Sequence, residues 1–168
     1  MRLDDLNALD LAAFVATLGG VFEHSPWVAE RAFDARPFAD VDALHGAMAA
    51  VVRQASRGEQ LALIRAHPEL AGRAMVRREL TADSAGEQAG AGLTQCTPDE
   101  HARLAALNAR YNARFGFPFI LAVRGYDRQG VIAEFARRVE RDPATEFDEA
   151  LAQIARIARS RLDALLAS

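Results

Sequence analysis

The chain has 168 residues, enough for one domain with its own hydrophobic core, and a formal net charge of −3. That charge, with no long basic stretch, excludes a nucleic-acid binder that works by neutralising phosphates. Hydrophobic residues make up 51%, with alanine prominent and valine and isoleucine sparse, which leans the chain towards helix.

The single cysteine, Cys96, excludes an intrachain disulfide and fits a reducing compartment. Met1-Arg2-Leu3-Asp4-Asp5 does not read as a secretory leader, and no run approaches the ~20 apolar residues of a membrane span. Leu166-Ala167-Ser168 is not a peroxisomal address. The expectation is a soluble cytoplasmic protein.

In chain order, Leu11–Leu18 reads as a short apolar helix stopped by Gly19-Gly20. Ser25-Pro26 reads as a cap and first helical position for a helix to about Phe33, ended by Arg36-Pro37. Asp40 caps a segment to about Ala55, with Val41, Leu44, Met48 and Val51 or Val52 at helical spacing. A further helix runs from Arg57 to Ala66 and closes at His67-Pro68.

Ser84 followed by Glu87 has the form of a capping box. Thr97-Pro98-Asp99-Glu100 is a stronger one, opening a helix to Phe115 with Gly116 as its stop. Phe117–Val123 is apolar and short, either a strand or a buried extended segment. Gln129–Arg141 is helical, and Pro143 and Thr145 introduce a last helix reaching nearly to the end. Six to eight helices with at most one short strand predict an all-α fold, organised as a single domain over residues 1–168.

Three constellations could carry chemistry. In His67-Pro68-Glu69 the proline pushes His67 out of the α region, so a rigid histidine stands at a helix end. Histidine as a residue type titrates near neutrality and suits proton transfer, or this one simply bonds the last carbonyls of its helix. Ser84-Ala85-Gly86-Glu87-Gln88 either caps a helix or offers a polar cradle to an anionic or urea-like ligand. Arg161 lies on the apolar face formed by Phe147, Leu151, Ile154, Ala158, Leu162 and Leu165. It must snorkel, pair with an acid or hold a ligand carboxylate.

His24, His45 and His101 lack neighbours at metal-ligand spacing, so no metal site is expected. The glycines Gly86, Gly90 and Gly92 match neither common nucleotide fingerprint. Arg73, Arg77 and Arg78 read as a solvated helix face, Trp27 as a core anchor and Cys96 as an inert thiol.

The order of motifs adds a resemblance. Leu18-Gly19-Gly20-Val21-Phe22-Glu23-His24-Ser25-Pro26-Trp27-Val28-Ala29-Glu30-Arg31-Ala32-Phe33 resembles the N-terminal signature of the OHCU decarboxylases, which act on 2-oxo-4-hydroxy-4-carboxy-5-ureidoimidazoline. The likeness continues through His67-Pro68-Glu69-Leu70, Ser84–Gln88, Leu107-Asn108 with Tyr111, Phe115-Gly116-Phe117-Pro118-Phe119-Ile120 and Arg161-Leu162.

The resemblance implies an all-helical lyase of urate breakdown that releases (S)-allantoin. It implies no metal or organic cofactor, and a homodimer. By the same mapping His67, Glu87 and Arg161 are catalytic. Pro68, Ser84, Ala85, Gly86, Glu87, Gln88 and the stretch Phe119, Ile120, Leu121, Ala122 and Val123 line the substrate site. Two other classes stay open on the residues alone. One is a cofactor-independent acid–base enzyme for another ureide or cyclic amide; the other is a helical interaction module without catalysis.

Overall fold

A computed structural model describes residues 1–167, leaving aside the side chain of Ala74. Ser168, the last residue of the C-terminal tripeptide considered above, lies outside the described residues. The chain forms ten α-helical segments and two short 3-10 turns, and no strand among the described residues. The all-α class stands. The number of segments exceeds six to eight because two short helices, Leu3–Asn7 and Arg73–Val76, carry no apolar periodicity that a sequence pattern could register. The chain divides into two compact units, residues 1–66 with 154–168, and residues 67–153.

The first unit holds α1 (Leu3–Asn7), α2 (Leu11–Leu18), α3 (Trp27–Ala32), α4 (Val41–Gln54), α5 (Arg57–Ala66) and the C-terminal part of α10 (Pro143–Leu166). Asp10 and Asp40 cap α2 and α4 by accepting from the N–H groups of Ala13 and Ala43. Leu44, Met48 and Val52 of α4 are buried, while Val41 and Val51 stay half-buried. Phe14 meets Phe33 edge to face at 5.4 Å. The Arg36 guanidinium lies 3.4 Å from the Phe33 ring centroid and donates to the Asn7 and Leu9 carbonyls. One expectation is corrected here. Ser25 does not cap α3; its hydroxyl donates instead to the Glu23 carbonyl at 2.9 Å.

The second unit holds α6 (Arg73–Val76), α7 (Ala82–Gly90), α8 (Pro98–Phe115), α9 (Arg128–Arg138) and the start of α10. Thr97 and Glu100 form the expected capping box, and Gly116 ends α8 at φ 75°, where a side chain would be strained. Thr97→Ala should therefore cost ~1 kcal/mol. A thermal melt should fall by about 2–4 °C, the scale for a chain of this size, and an unchanged melt would remove the cap from the account of α8. Helix α9 stops at Arg138, three residues short of expectation: Val139 closes the last α-helical bond on the Phe135 carbonyl, and Arg141 then turns back more tightly on the Arg138 carbonyl. Tyr111 packs against Phe115, Phe117, Phe119 and Phe135 with centroids 4.5–5.9 Å apart, which centres this core on α8.

Candidate active site

Helix α5 ends at Ala66, and the chain leaves it at His67. Pro68 cannot continue the helix and restrains the residue before it, so the imidazole is carried on stiff backbone. His67 is only 6% exposed, unlike a solvated helix-end histidine. The turn beyond it is tightly built. Ala71 sits at φ 51°, a left-handed conformation unusual for alanine. A Cβ at Gly72 would fall 2.7 Å from that of Glu69, so only glycine fits there.

Helix α7 begins at Ala82, capped by Thr81, whose hydroxyl accepts from the Ser84 N–H at 3.3 Å. This corrects the capping-box reading of Ser84 and Glu87. With the cap three residues earlier, Ser84 lies inside the first turn, and the Ala85 N–H is spent on the Thr81 carbonyl. Residues 84–88 thus offer side chains rather than an open helix terminus. Ser84 and Gln88, four residues apart, share a buried face, and Glu87 is half-buried beside them in the chain. Ala85 and Gly86 are exposed. Gln88 holds the turn after His67: its carbonyl oxygen accepts from the Ala71 N–H, and its amide donates to the Glu69 carbonyl.

The apolar run after Gly116 is not a strand. Phe119, Ile120, Leu121 and Val123 are buried, and Ala122 is half-buried. What replaces a sheet ladder is a set of polar side chains. Arg138 donates to the Ile120 carbonyl at 2.7 Å, and the Gln153 side-chain oxygen accepts from the Ala122 N–H at 2.9 Å. Arg138 is itself fully buried and bonds Glu146 through Nε at 2.7 Å, while the Tyr111 hydroxyl donates to the same carboxylate oxygen at 2.7 Å. Burial, then the Glu146 carboxylate, push the Tyr111 hydroxyl far above its ordinary range, so it stays a donor. The Arg138 guanidinium also lies 4.4 Å from the Phe119 ring centroid, and Phe119 stacks on Phe135 at 3.9 Å.

Arg161 belongs to the first unit and is 7% exposed, so it does not snorkel. Its Nη1 donates to Glu23 Oε2 at 2.7 Å and to the Gly20 carbonyl at 3.3 Å. Glu23 is 2% exposed and precedes His24, whose backbone is left-handed at φ 47°. The acid is therefore held in a fixed turn, and a fork anchored at one nitrogen keeps a defined plane. His67, Ser84, Glu87 and Arg161 all have interaction partners.

Among the described residues, no group of three or more histidine, cysteine, aspartate or glutamate side chains is placed to hold a metal ion, and no helix is long and apolar enough to cross a membrane. Burial, and secondarily the Glu100 carboxylate, push the Cys96 thiol up, away from the reactive thiolate.

The model of the OHCU decarboxylase family matches residues 7–163. The chain belongs to the OHCU decarboxylase family. These are carboxy-lyases, and the match spans both units. Among its relatives, the 2-oxo-4-hydroxy-4-carboxy-5-ureidoimidazoline decarboxylase of Haloferax volcanii is 43% identical over 162 residues, covering 96% of this chain and 94% of that protein. A uric acid degradation bifunctional protein of Bacillus subtilis is also 43% identical over 160 residues, 95% of this chain but only 32% of that one. The chain thus spans about a third of such bifunctional relatives and nearly all of the Haloferax volcanii decarboxylase. A crystal structure of (S)-allantoin synthase superposes with a TM-score of 0.79 at 31% identity, covering 99% of this chain and 54% of that chain.

Within this OHCU decarboxylase-family chain, the second unit gathers the predicted residues His67, Pro68, Ser84–Gln88 and Phe119–Val123, and the first unit carries Arg161. Sequence reasoning gave no role to the polar residues behind them: Glu23, Asn112, Arg138, Glu146 and Gln153. For the four on helices the available signal was polarity on an otherwise apolar helix face; Glu23 lies in a turn and gave no such signal. Gln153 adjoins Ile154 and lies three residues past Ala150, and Arg138 lies three residues past Phe135. Such a pattern marks a buried polar residue but does not name its partner.

Proposed function

We propose that this protein decarboxylates 2-oxo-4-hydroxy-4-carboxy-5-ureidoimidazoline to (S)-allantoin in urate breakdown, with His67 as the proton-transfer residue. The observation that carries this reading is a buried, backbone-restrained histidine in a chain that aligns with the Haloferax volcanii decarboxylase over nearly its whole length. The same reading expects one catalytic domain, a homodimer, a cytoplasmic setting, and no metal or organic cofactor.

In the reaction the bond from a ring carbon to the carboxylate breaks, and its electron pair passes into the ring as CO₂ leaves. A proton is then returned to a ring carbon, on one face only. Histidine suits the transfer because it gains and loses a proton near neutrality. Glu87 assists by orienting the imidazole and favouring its cationic form. Arg161 holds the anionic substrate through its planar fork.

The side chain of Ser84 and the main chain of Phe119–Val123 bond the ureide. In an extended segment successive residues direct their main-chain groups to opposite edges. Arg138 and Gln153 take up the edge of Ile120 and Ala122, which leaves the edge of Leu121 for ligand amides. Pro68, Ala85, Gly86 and Gln88 complete the lining.

The test is stereochemical. The unstable substrate is made in situ from urate by an oxidase and a ring-opening hydrolase, and product circular dichroism is followed. Rapid build-up of one allantoin enantiomer supports the assignment. Racemic product at the uncatalysed rate would overturn it. Arg161→Lys keeps the charge but loses the fork. It should raise KM by roughly tenfold or more, the worth of one charge-assisted hydrogen bond, and wild-type kinetics in that variant would remove Arg161 from substrate binding.

A further inference from the structure

Two consecutive peptide groups follow the His67-Pro68 pair, Glu69–Leu70 and Leu70–Ala71, and side-chain amides take hold of both. Gln88 donates to the Glu69 carbonyl at 3.2 Å and accepts from the Ala71 N–H at 2.9 Å. From α8, the Asn108 Nδ2 donates to the Leu70 carbonyl at 2.9 Å. One turn on, the Asn112 Nδ2 donates to the Glu69 carboxylate at 2.5 Å and to the Asn108 carbonyl at 2.9 Å.

These bonds hold a turn with unfavourable features. Ala71 is left-handed, which costs an alanine about 1–2 kcal/mol. Asn108 is 4% exposed, and its Oδ1 has no hydrogen-bond partner among the described residues. A buried acceptor left unsatisfied is a further cost. Helix α8 would be better served there by leucine, as at Leu104. The asparagine is thus kept for what its N–H group holds. Strained backbone of this kind persists where the surroundings over-determine it, and it collects at functional sites.

We propose that Asn108, with Asn112 behind it, is a positioning residue for His67. By fixing the Leu70 and Glu69 groups it stops the turn from rotating, and the rigid Pro68 passes that constraint to the imidazole. Gln88 acts in the same way, through the turn. The inference rests on the reading of His67 as the proton-transfer residue, and its effect belongs on kcat, because a misdirected proton donor leaves substrate binding intact.

The experiment compares Asn108→Ala and Asn108→Asp with wild type in steady-state kinetics, thermal melts and histidine ring-nitrogen NMR of the ligand-free protein. Asn108→Ala should lower kcat by about tenfold or more, with KM within about twofold. The His67 resonances should move, while those of His45, whose Nε2 lies 2.8 Å from the Ala155 carbonyl, should not. In Asn108→Asp only the protonated carboxyl can donate to the Leu70 carbonyl. Its turnover relative to wild type should therefore recover as pH falls.

Glu69, Arg73, Arg77 and His101 line the same groove as Asn108, so the profile is read as that ratio. Unchanged kcat and unchanged His67 resonances in both variants would overturn the proposal. So would a loss of kcat that merely follows the unfolded fraction. If Asn108→Ala does not fold, the pH ratio of Asn108→Asp and the kcat of Asn112→Ala decide. Full turnover in His67→Asn, with shifted His67 resonances in Asn108→Ala, would instead sink the proton-transfer reading and uphold the positioning geometry.

Discussion

His67→Asn is expected to lose turnover by roughly 10²–10⁴-fold, the usual worth of a positioned general acid or base. The fold should survive. Asparagine keeps a polar side chain of smaller volume, and the backbone at residue 67 is set by Pro68 and the end of α5 rather than by the imidazole. A typical substitution of this kind costs ~1 kcal/mol, so the melt should move only by a few degrees, on the order of 2–4 °C. Product circular dichroism measures the first quantity and a thermal melt the second. Retention of wild-type turnover would take His67 out of the mechanism, and His67→Ala should agree with His67→Asn on activity. The loss should fall on kcat more than on KM, because proton delivery matters in the transition state and not in the bound ground state.

Glu146→Ala should be the most destabilising single change in the second unit. Glu146 and Arg138 are both 0% exposed, and the carboxylate also receives the Tyr111 hydroxyl. Removing the acid leaves a guanidinium buried without its counter-charge, which typically costs 3–5 kcal/mol, or roughly 6–20 °C of melting temperature for a chain of this size. Arg141, whose Nη1 lies 3.8 Å from Glu146 Oε2, loses one of its two acids and keeps Glu149 at 3.7 Å.

The double variant Arg138→Met/Glu146→Leu should recover much of the loss, because it removes both buried charges together. It should not recover activity in proportion, since the Ile120 carbonyl would still lack its donor. Thermal melts of the two single variants and the double one, combined as a cycle, measure the coupling. A single variant that melts like wild type, or a cycle with no coupling, would show that this pair is not what holds the Phe119–Val123 segment.

Much of the molecule was legible from local pattern. The helices Leu11–Leu18, Val41–Gln54, Arg57–Ala66 and Pro98–Phe115 begin and end where caps, prolines and glycines place them, because those signals act within a few residues. The restraint on His67 was equally local, being a property of the His-Pro dipeptide. Where two caps compete within one turn, local reading failed: Thr81 and Ser84 are both competent, and the structure uses Thr81.

Sequence alone therefore determined the all-helical class, most helix boundaries and a short set of chemically apt residues, since each depends on neighbours in the chain. Tertiary structure decided how those residues are held. Arg161 meets Glu23 across 138 positions, Asn108 meets Leu70 across 38, and Gln153 meets Ala122 across 31. A buried polar group must find a partner, but hydrogen-bonding capacity is the same in every part of a chain. Which partner it finds is set by packing, and only the folded chain brings those groups within 3 Å of each other.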